Sequence, residues 1–166
     1  MRLIMLAIVL MTLPLANPAS GDSVDMIYVT DLRQVASIAK RDNLILVLEF
    51  SSEYCGYCRR LEAQFLVPMQ RNRDYDDKVL IRSVSLDNFE TLVDFNGLSV
   101  ATGEFASRYD VSLTPTLVFL NADGVEMSEK LVGIWSEDFY GGFIDNRIDE
   151  ARGKLALVAT TVSVSE

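Results

Sequence analysis

Residues 44–68 read LILVLEFSSEYCGYCRRLEAQFLVP, and this stretch decides the fold. Residues 44–50 are apolar except for Glu49, the composition of a central strand buried on both faces. From about Cys55 a helix is expected to run to Leu66, with Cys58, Leu61 and Phe65 on one face and Pro68 just past its end. Cys55-Gly56-Tyr57-Cys58 therefore sits where a strand and a short loop give way to a helix.

That placement carries chemistry. Unpaired amide groups and the macrodipole at a helix start favour a thiolate, which makes Cys55 the better nucleophile. Cys58, one turn further in and on the apolar face, is placed to resolve a mixed disulfide rather than to start one. The alternative is an inert disulfide stapling the helix start, although so short a loop gains little from closure. No other cysteine and no histidine occurs in the chain. Ser-His and Cys-His catalytic pairs and His-containing metal sites are thereby excluded, and half a zinc site would lack its second ligand pair. No metal and no cofactor is expected.

Working outward, residues 1–21 open with Arg2, continue through the apolar run 3–11 and end in small residues around Ala16, Ala19 and Gly21. This is the layout of a secretory signal peptide. The apolar run is far short of the ~20 residues a bilayer crossing needs, so removal is expected, with an uncleaved anchor as the alternative. Two cysteines in an exported protein meet an oxidising compartment. About 145 residues remain, the size of one domain, expected over 22–151 with a tail over 152–166. Fifteen basic and 24 acidic residues give a net charge of −9, or −10 without Arg2. Such a balance repels nucleic acid and anionic lipid and argues for solubility or a basic partner surface.

The remaining elements follow from pattern. Asp31 can cap a helix in which Leu32, Val35, Ile38 and Ala39 recur at helical spacing, ending near Arg41. Residues 79–86 alternate as a strand, after a charged loop over 71–77. Asn96-Gly97 within 91–100 is a hairpin signal, and Ser99 is expected to cap a helix reaching Tyr109. Residues 116–120 read as a strand, 121–124 as a turn and 126–132 as an antiparallel partner. A last helix over 136–151 should turn Phe139, Phe143, Ile144 and Ile148 to the core. For the tail a mobile terminus is expected, with a strand over 158–164 as the alternative. The order of elements indicates an α/β chain with a mixed central sheet flanked by helices.

Over residues 31–150 the sequence resembles the thioredoxin superfamily. The matching features are Leu48-Glu49-Phe50 before the cysteine motif, Cys55 to Cys58, Thr114-Pro115-Thr116 before a strand, and Gly133 before the last helix. The resemblance implies the thioredoxin fold, and a cis-proline at Pro115 that faces the two cysteines. It also implies substrate contacts at Gly56, Tyr57, Thr114 and Pro115. Glu49 falls where thioredoxins have a buried acid beneath the resolving cysteine. Burial would raise its pKa into the range useful for proton transfer, so Glu49 is assigned to the deprotonation of Cys58. A strand-end Glu with its head in water is the other reading.

Three departures distinguish this chain: Tyr57 replaces the proline common in thioredoxin motifs, Tyr54 the preceding tryptophan, and Ala63 a helix-kinking proline. Gly56-Tyr57 together with Thr114 looks like bacterial disulfide isomerases, whose added dimerisation domain has no counterpart here. The segment 87–99, with Asp94-Phe95-Asn96-Gly97, is similar to periplasmic thioredoxins of bacterial sulfur-oxidation systems. The expectation is a monomeric periplasmic thiol-disulfide oxidoreductase that reduces protein disulfides and is recharged by a membrane thiol-disulfide electron donor. An oxidase or isomerase is the rival within that class, and a non-catalytic thioredoxin-fold binding module the rival outside it.

Overall fold

The computed structural model describes residues 25–87, 91–136 and 138–164. The expected export segment 1–21 lies outside them, as do residues 88–90 of the segment 87–99.

Helix α1 (Leu32–Asp42) begins where the side chain of Asp31 accepts a hydrogen bond from the Arg33 amide at 2.9 Å. It ends at Asn43, in the left-handed region at φ 53°, whose N–H donates to the Ala39 carbonyl. Strand β1 (Ile45–Ser51) follows and is buried at every position. Its neighbours explain why. It pairs in parallel with β2 (Val79–Ser85) and antiparallel with β5 (Thr116–Leu120), which in turn pairs antiparallel with β6 (Glu126–Val132). The sheet order β2-β1-β5-β6 puts β1 inside, and helices cover both faces.

Side-chain alternation divides the core in two. Ile45, Val47, Leu117 and Phe119 pack with Leu61, Leu66, Tyr140, Ile144 and Ile148 on one face. Leu46, Leu48, Phe50 and Val118 pack with Leu32, Val35, Phe105 and Tyr109 on the other. The aromatic centre of that second face is tight, with Phe105 5.9 Å from Phe50 and 5.3 Å from Tyr109 between ring centroids. Glu49 belongs by alternation to the first face.

The helical run after the cysteines differs from expectation. Helix α2 (Gly56–Leu61) passes into a widened π turn over Glu62–Leu66, and α3 (Val67–Arg71) continues through Pro68. Pro68 therefore does not stop the run. It lacks an N–H to give to the carbonyl four residues back, and it falls in the first turn of α3, where that bond is not required.

Strands β3 (Thr91–Val93) and β4 (Ser99–Ala101) form the separate hairpin that Asn96-Gly97 indicates, with Gly97 at φ 84°. Asp94 closes its turn by accepting from the amides of Asn96 at 2.9 Å and Leu98 at 3.0 Å. It also receives Arg108 at 2.7 Å, from just past α4 (Thr102–Ser107). Ser99 does not cap this helix: it is taken up in β4, and Ala101 stands at the cap position.

The last helix, α5, spans Tyr140–Val164, later in start and longer than the pattern suggests. Tyr140 is fully buried while Phe139 is 71% exposed, so the core position expected for Phe139 belongs to its neighbour. Beyond Ala151 the helix continues where an irregular tail is expected. Residues 151–157 read ARGKLAL, strong helix formers apart from Gly153, with little left to bury beyond Leu155, which is why a helix there leaves no clear apolar period.

Candidate active site

The loop 52–54 carries the chain from β1 to Cys55, the N-cap residue of α2. Cys55 and Cys58 form a disulfide with their Cα atoms 5.2 Å apart. The Cys58 amide donates to Cys55 Sγ at 3.0 Å, one of the unpaired N–H groups of the helix start turned onto that sulfur. Cys55 is half-buried, whereas Cys58 is 1% exposed. The two residues thus differ in exposure as the sequence expects, Cys55 at the helix start and Cys58 on its buried face.

The approach loop is held by a residue the sequence reading did not single out. Asp87, two residues past β2, accepts from Ser52 Oγ at 2.7 Å, from the Glu53 amide at 2.9 Å and from Ser85 Oγ at 3.0 Å. The Ser52 hydroxyl and the Glu53 amide hold its carboxyl below the usual carboxylate range. Because β1 and β2 run parallel, both of their C-terminal ends meet at this loop, and Asp87 ties them together. Arg59 adds a bond from α2 back to the Glu53 carbonyl at 3.0 Å. Arg60 stands 5.5 Å from the centroid of the Tyr57 ring.

Glu49 is fully buried, which removes the reading of a strand-end side chain with its head in water. Neither of its carboxyl oxygens has a hydrogen-bond partner; Ser83 Oγ, across the β1–β2 pair, approaches the Glu49 main-chain carbonyl at 3.5 Å instead. Burial pushes the Glu49 carboxyl well above its ordinary range, and the negative charge of Glu62 pushes it further the same way. Glu62, four residues after Cys58 and on its helical face, was also missed. The i, i+4 spacing is the signal that could have found it. Its Oε1 accepts from Tyr28 Oη at 2.7 Å and Ser51 Oγ at 3.3 Å.

The Thr114–Pro115 peptide bond is cis. Thr116 is paired with Phe50, so Pro115 stands level with the end of β1, where the chain leaves for Cys55. Its carbonyl accepts from the Gly133 amide at 2.8 Å, and the Gly133 carbonyl accepts from Tyr140 Oη at 2.7 Å. Cys55, Pro115 and Gly133 accordingly belong to one end of the sheet. Large side chains exposed along the segments of that end include Tyr54, Tyr57, Leu113 and Trp135.

A family model described as a thioredoxin-like domain matches residues 32–145, more than half of the chain. The chain belongs to the thioredoxin-like family. Thioredoxin-1 of Drosophila melanogaster is 29% identical over 83 residues, covering 50% of this chain and 63% of that protein. The thioredoxin-like chain thus spans less than two thirds of this relative's length. Among solved structures, a thioredoxin from Halobacterium salinarum matches with a TM-score of 0.52 at 20% identity, over 78% of this chain and 96% of the other. The thioredoxin of Malassezia sympodialis matches with a TM-score of 0.52 at 16% identity, over 80% and 98%. At these identities the structural likeness shows the thioredoxin fold.

Proposed function

We propose that this protein is a periplasmic thiol-disulfide oxidoreductase that reduces protein disulfides. The observation that carries the reading is the Cys55–Cys58 disulfide at the start of a helical run, with Cys55 half-buried and Cys58 1% exposed. In the dithiol form, the Cys55 thiolate attacks one sulfur of a substrate disulfide, and the other substrate sulfur leaves as a thiolate. Cys58 then gives its proton to the Glu49 carboxylate and attacks Cys55 Sγ. The bond from Cys55 to the substrate breaks, the substrate departs with two electrons gained, and the enzyme is left as the disulfide. A membrane thiol-disulfide donor returns the two electrons.

Several features support this assignment. The exposed rings of Tyr54 and Tyr57 beside the motif, with Gly56, Thr114 and Pro115, suit contact with a polypeptide around its disulfide. The signal-like residues 1–21 support export. The resemblance of segment 87–99 to periplasmic thioredoxins of sulfur-oxidation systems is the second ground for proposing a periplasmic site of action. Gly56-Tyr57 and Thr114 favour a potential above that of ordinary thioredoxin, roughly between −270 and −180 mV.

The test compares insulin reduction with recovery of scrambled ribonuclease, using the same reduced protein and measuring its mass in solution. A reductase turns over insulin as a monomer. Efficient unscrambling by a stable dimer, with little insulin reduction, makes the protein an isomerase, and turnover of neither makes it a binding module with a structural disulfide.

A further inference from the structure

The loop between β6 and α5 carries the chain's only tryptophan, Trp135, and leaves it 57% exposed. An indole left in water forgoes a large apolar burial. Gly133, at φ 66°, turns the chain out of β6, and its amide donates to the Pro115 carbonyl at 2.8 Å. Trp135 follows two residues later, so its Cα lies within ~7 Å of Gly133, the greatest span two residues allow. It therefore belongs to the end of the sheet that holds the cis-proline and Cys55. Support is what separates it from the other exposed rings there. Trp135 stands 4.2 Å from Phe143 and 6.0 Å, edge-on, from Tyr140 between ring centroids. Tyr140 is fully buried, packs against Phe65, and gives its hydroxyl to the Gly133 carbonyl. One buried tyrosine thus fixes both the loop that touches Pro115 and the indole. Tyr54, Tyr57 and Phe139 are exposed with no other ring packed against them among the described residues.

We propose that Trp135 is a specificity-determining residue, the anchor for an aromatic or long aliphatic side chain that lies close to the attacked cysteine of a protein disulfide. This names a substrate class for the oxidoreductase reading and rests on it. The indole offers a wide apolar face, and its contacts with Phe143 and Tyr140 restrict its rotamers before a substrate arrives. Little side-chain entropy is then lost on binding. Tyr54 and Tyr57, which lack such support, are ordered only as the substrate docks. A polypeptide whose sulfur meets Cys55 and whose backbone crosses Pro115 reaches Trp135 within a few residues of its cysteine, because Gly133 joins that loop to Pro115. A serine at that place leaves the indole in water. A phenylalanine or leucine covers it, and the substrate gains affinity with no change in the sulfur chemistry. A membrane surface is disfavoured as the occupant, since a net charge of −9 repels anionic lipid. A second copy carries the same charge, and dependence on protein concentration tests for it.

The experiment uses tryptophan-free peptides of serine and glycine, each closed by one disulfide, with a single phenylalanine walked through the positions on either side of the cysteines. Reduced protein in excess is mixed with each peptide, the reaction is stopped with acid, and the reduced peptide is separated and quantified. In wild type, one position of the phenylalanine lowers the half-saturating concentration about tenfold relative to the peptide without it, with the maximal rate little changed. Trp135→Ser removes that preference and brings the two peptides together. Loss of packing alone would slow both alike and leave their ratio intact. A preference that survives Trp135→Ser, or a wild type indifferent to the phenylalanine at every position, overturns the role of Trp135 and leaves the reductase standing. Reduction of none of the peptides overturns the oxidoreductase reading and this proposal with it. If Trp135→Ser does not fold, wild-type fluorescence decides, because Trp135 is the only indole in the chain. Peptides with serine in place of both cysteines are titrated into the oxidised protein. The phenylalanine peptide shifts the emission to shorter wavelength as the indole leaves water, and the peptide without it does not. An emission that neither peptide moves, or that moves with protein concentration alone, overturns the proposal.

Discussion

Glu49→Gln should make the protein more stable at neutral pH while slowing its chemistry. The native carboxyl is 0% exposed and has no hydrogen-bond partner, so its charged form is disfavoured relative to the unfolded chain. Its folded pKa lies well above the reference value of 4.5. Between those two values the folded protein binds a proton that the unfolded chain has released, and stability falls as pH rises. A single carboxyl can contribute a slope of at most about 1.4 kcal/mol per pH unit in that window. Below pH 4.5 the term vanishes, because both states are protonated. Above the folded pKa the loss is complete and constant. The assay is urea unfolding of the oxidised wild type and of oxidised Glu49→Gln across pH. Keeping both disulfide-bonded removes thiol titration, and the absence of histidine leaves the window unusually clear of other side chains. The difference between the two proteins should grow above pH 4.5 in favour of the glutamine variant. Curves that run parallel would refute the reasoning, since they would mean that Glu49 titrates alike in both states. The kinetic counterpart is a resolving step about 10²-fold slower in the variant, equivalent to about 2.7 kcal/mol of barrier.

Other positions allow simpler tests. Asp87→Ala removes the bonds from Ser52, Glu53 and Ser85 that hold the approach loop, and should cost about 1 kcal/mol in urea unfolding while lowering kcat/KM for insulin reduction. Gly124→Ala places a Cβ at φ 78° only 2.6 Å from the Phe95 ring, and a loss of about 1–3 kcal/mol is expected by the same assay. Phe105→Ala empties the aromatic centre against Phe50 and Tyr109, with an expected loss of about 3–5 kcal/mol.

What the sequence disclosed divides along a physical line. Cys55 and Cys58 could be read because local period sets which way a helix start and its first turn face, whereas Glu49 stood out as the one acid of an apolar strand and its buried role was implied by the resemblance to thioredoxins. The β5–β6 hairpin was equally clear, since the turn at residues 121–124 separates two runs of strand character. Asp87 and Tyr28 gave no such signal: Asp87 reaches the site because β2 pairs with β1, and Tyr28 because it bridges to Ser83 of β2, over separations that no local pattern encodes. Ser99 illustrates a competition, in which the return strand of the hairpin takes a residue that would serve as a cap. The start of α5 was misjudged because Phe139 and Tyr140 are both large and aromatic, and only packing against Phe65 and Trp135 selects the second.

Cys55 and Cys58 have unequal roles in the proposed reaction, and mixed-disulfide trapping tests that most directly. The reduced Cys58→Ser and Cys55→Ser variants are each mixed with a disulfide-bearing protein substrate and run on a non-reducing gel. Cys58→Ser should attack through Cys55 and stall, giving a covalent complex that dithiothreitol releases, while Cys55→Ser, left with only the buried Cys58, should give none. Trapping by Cys55→Ser instead of Cys58→Ser would contradict the assignment.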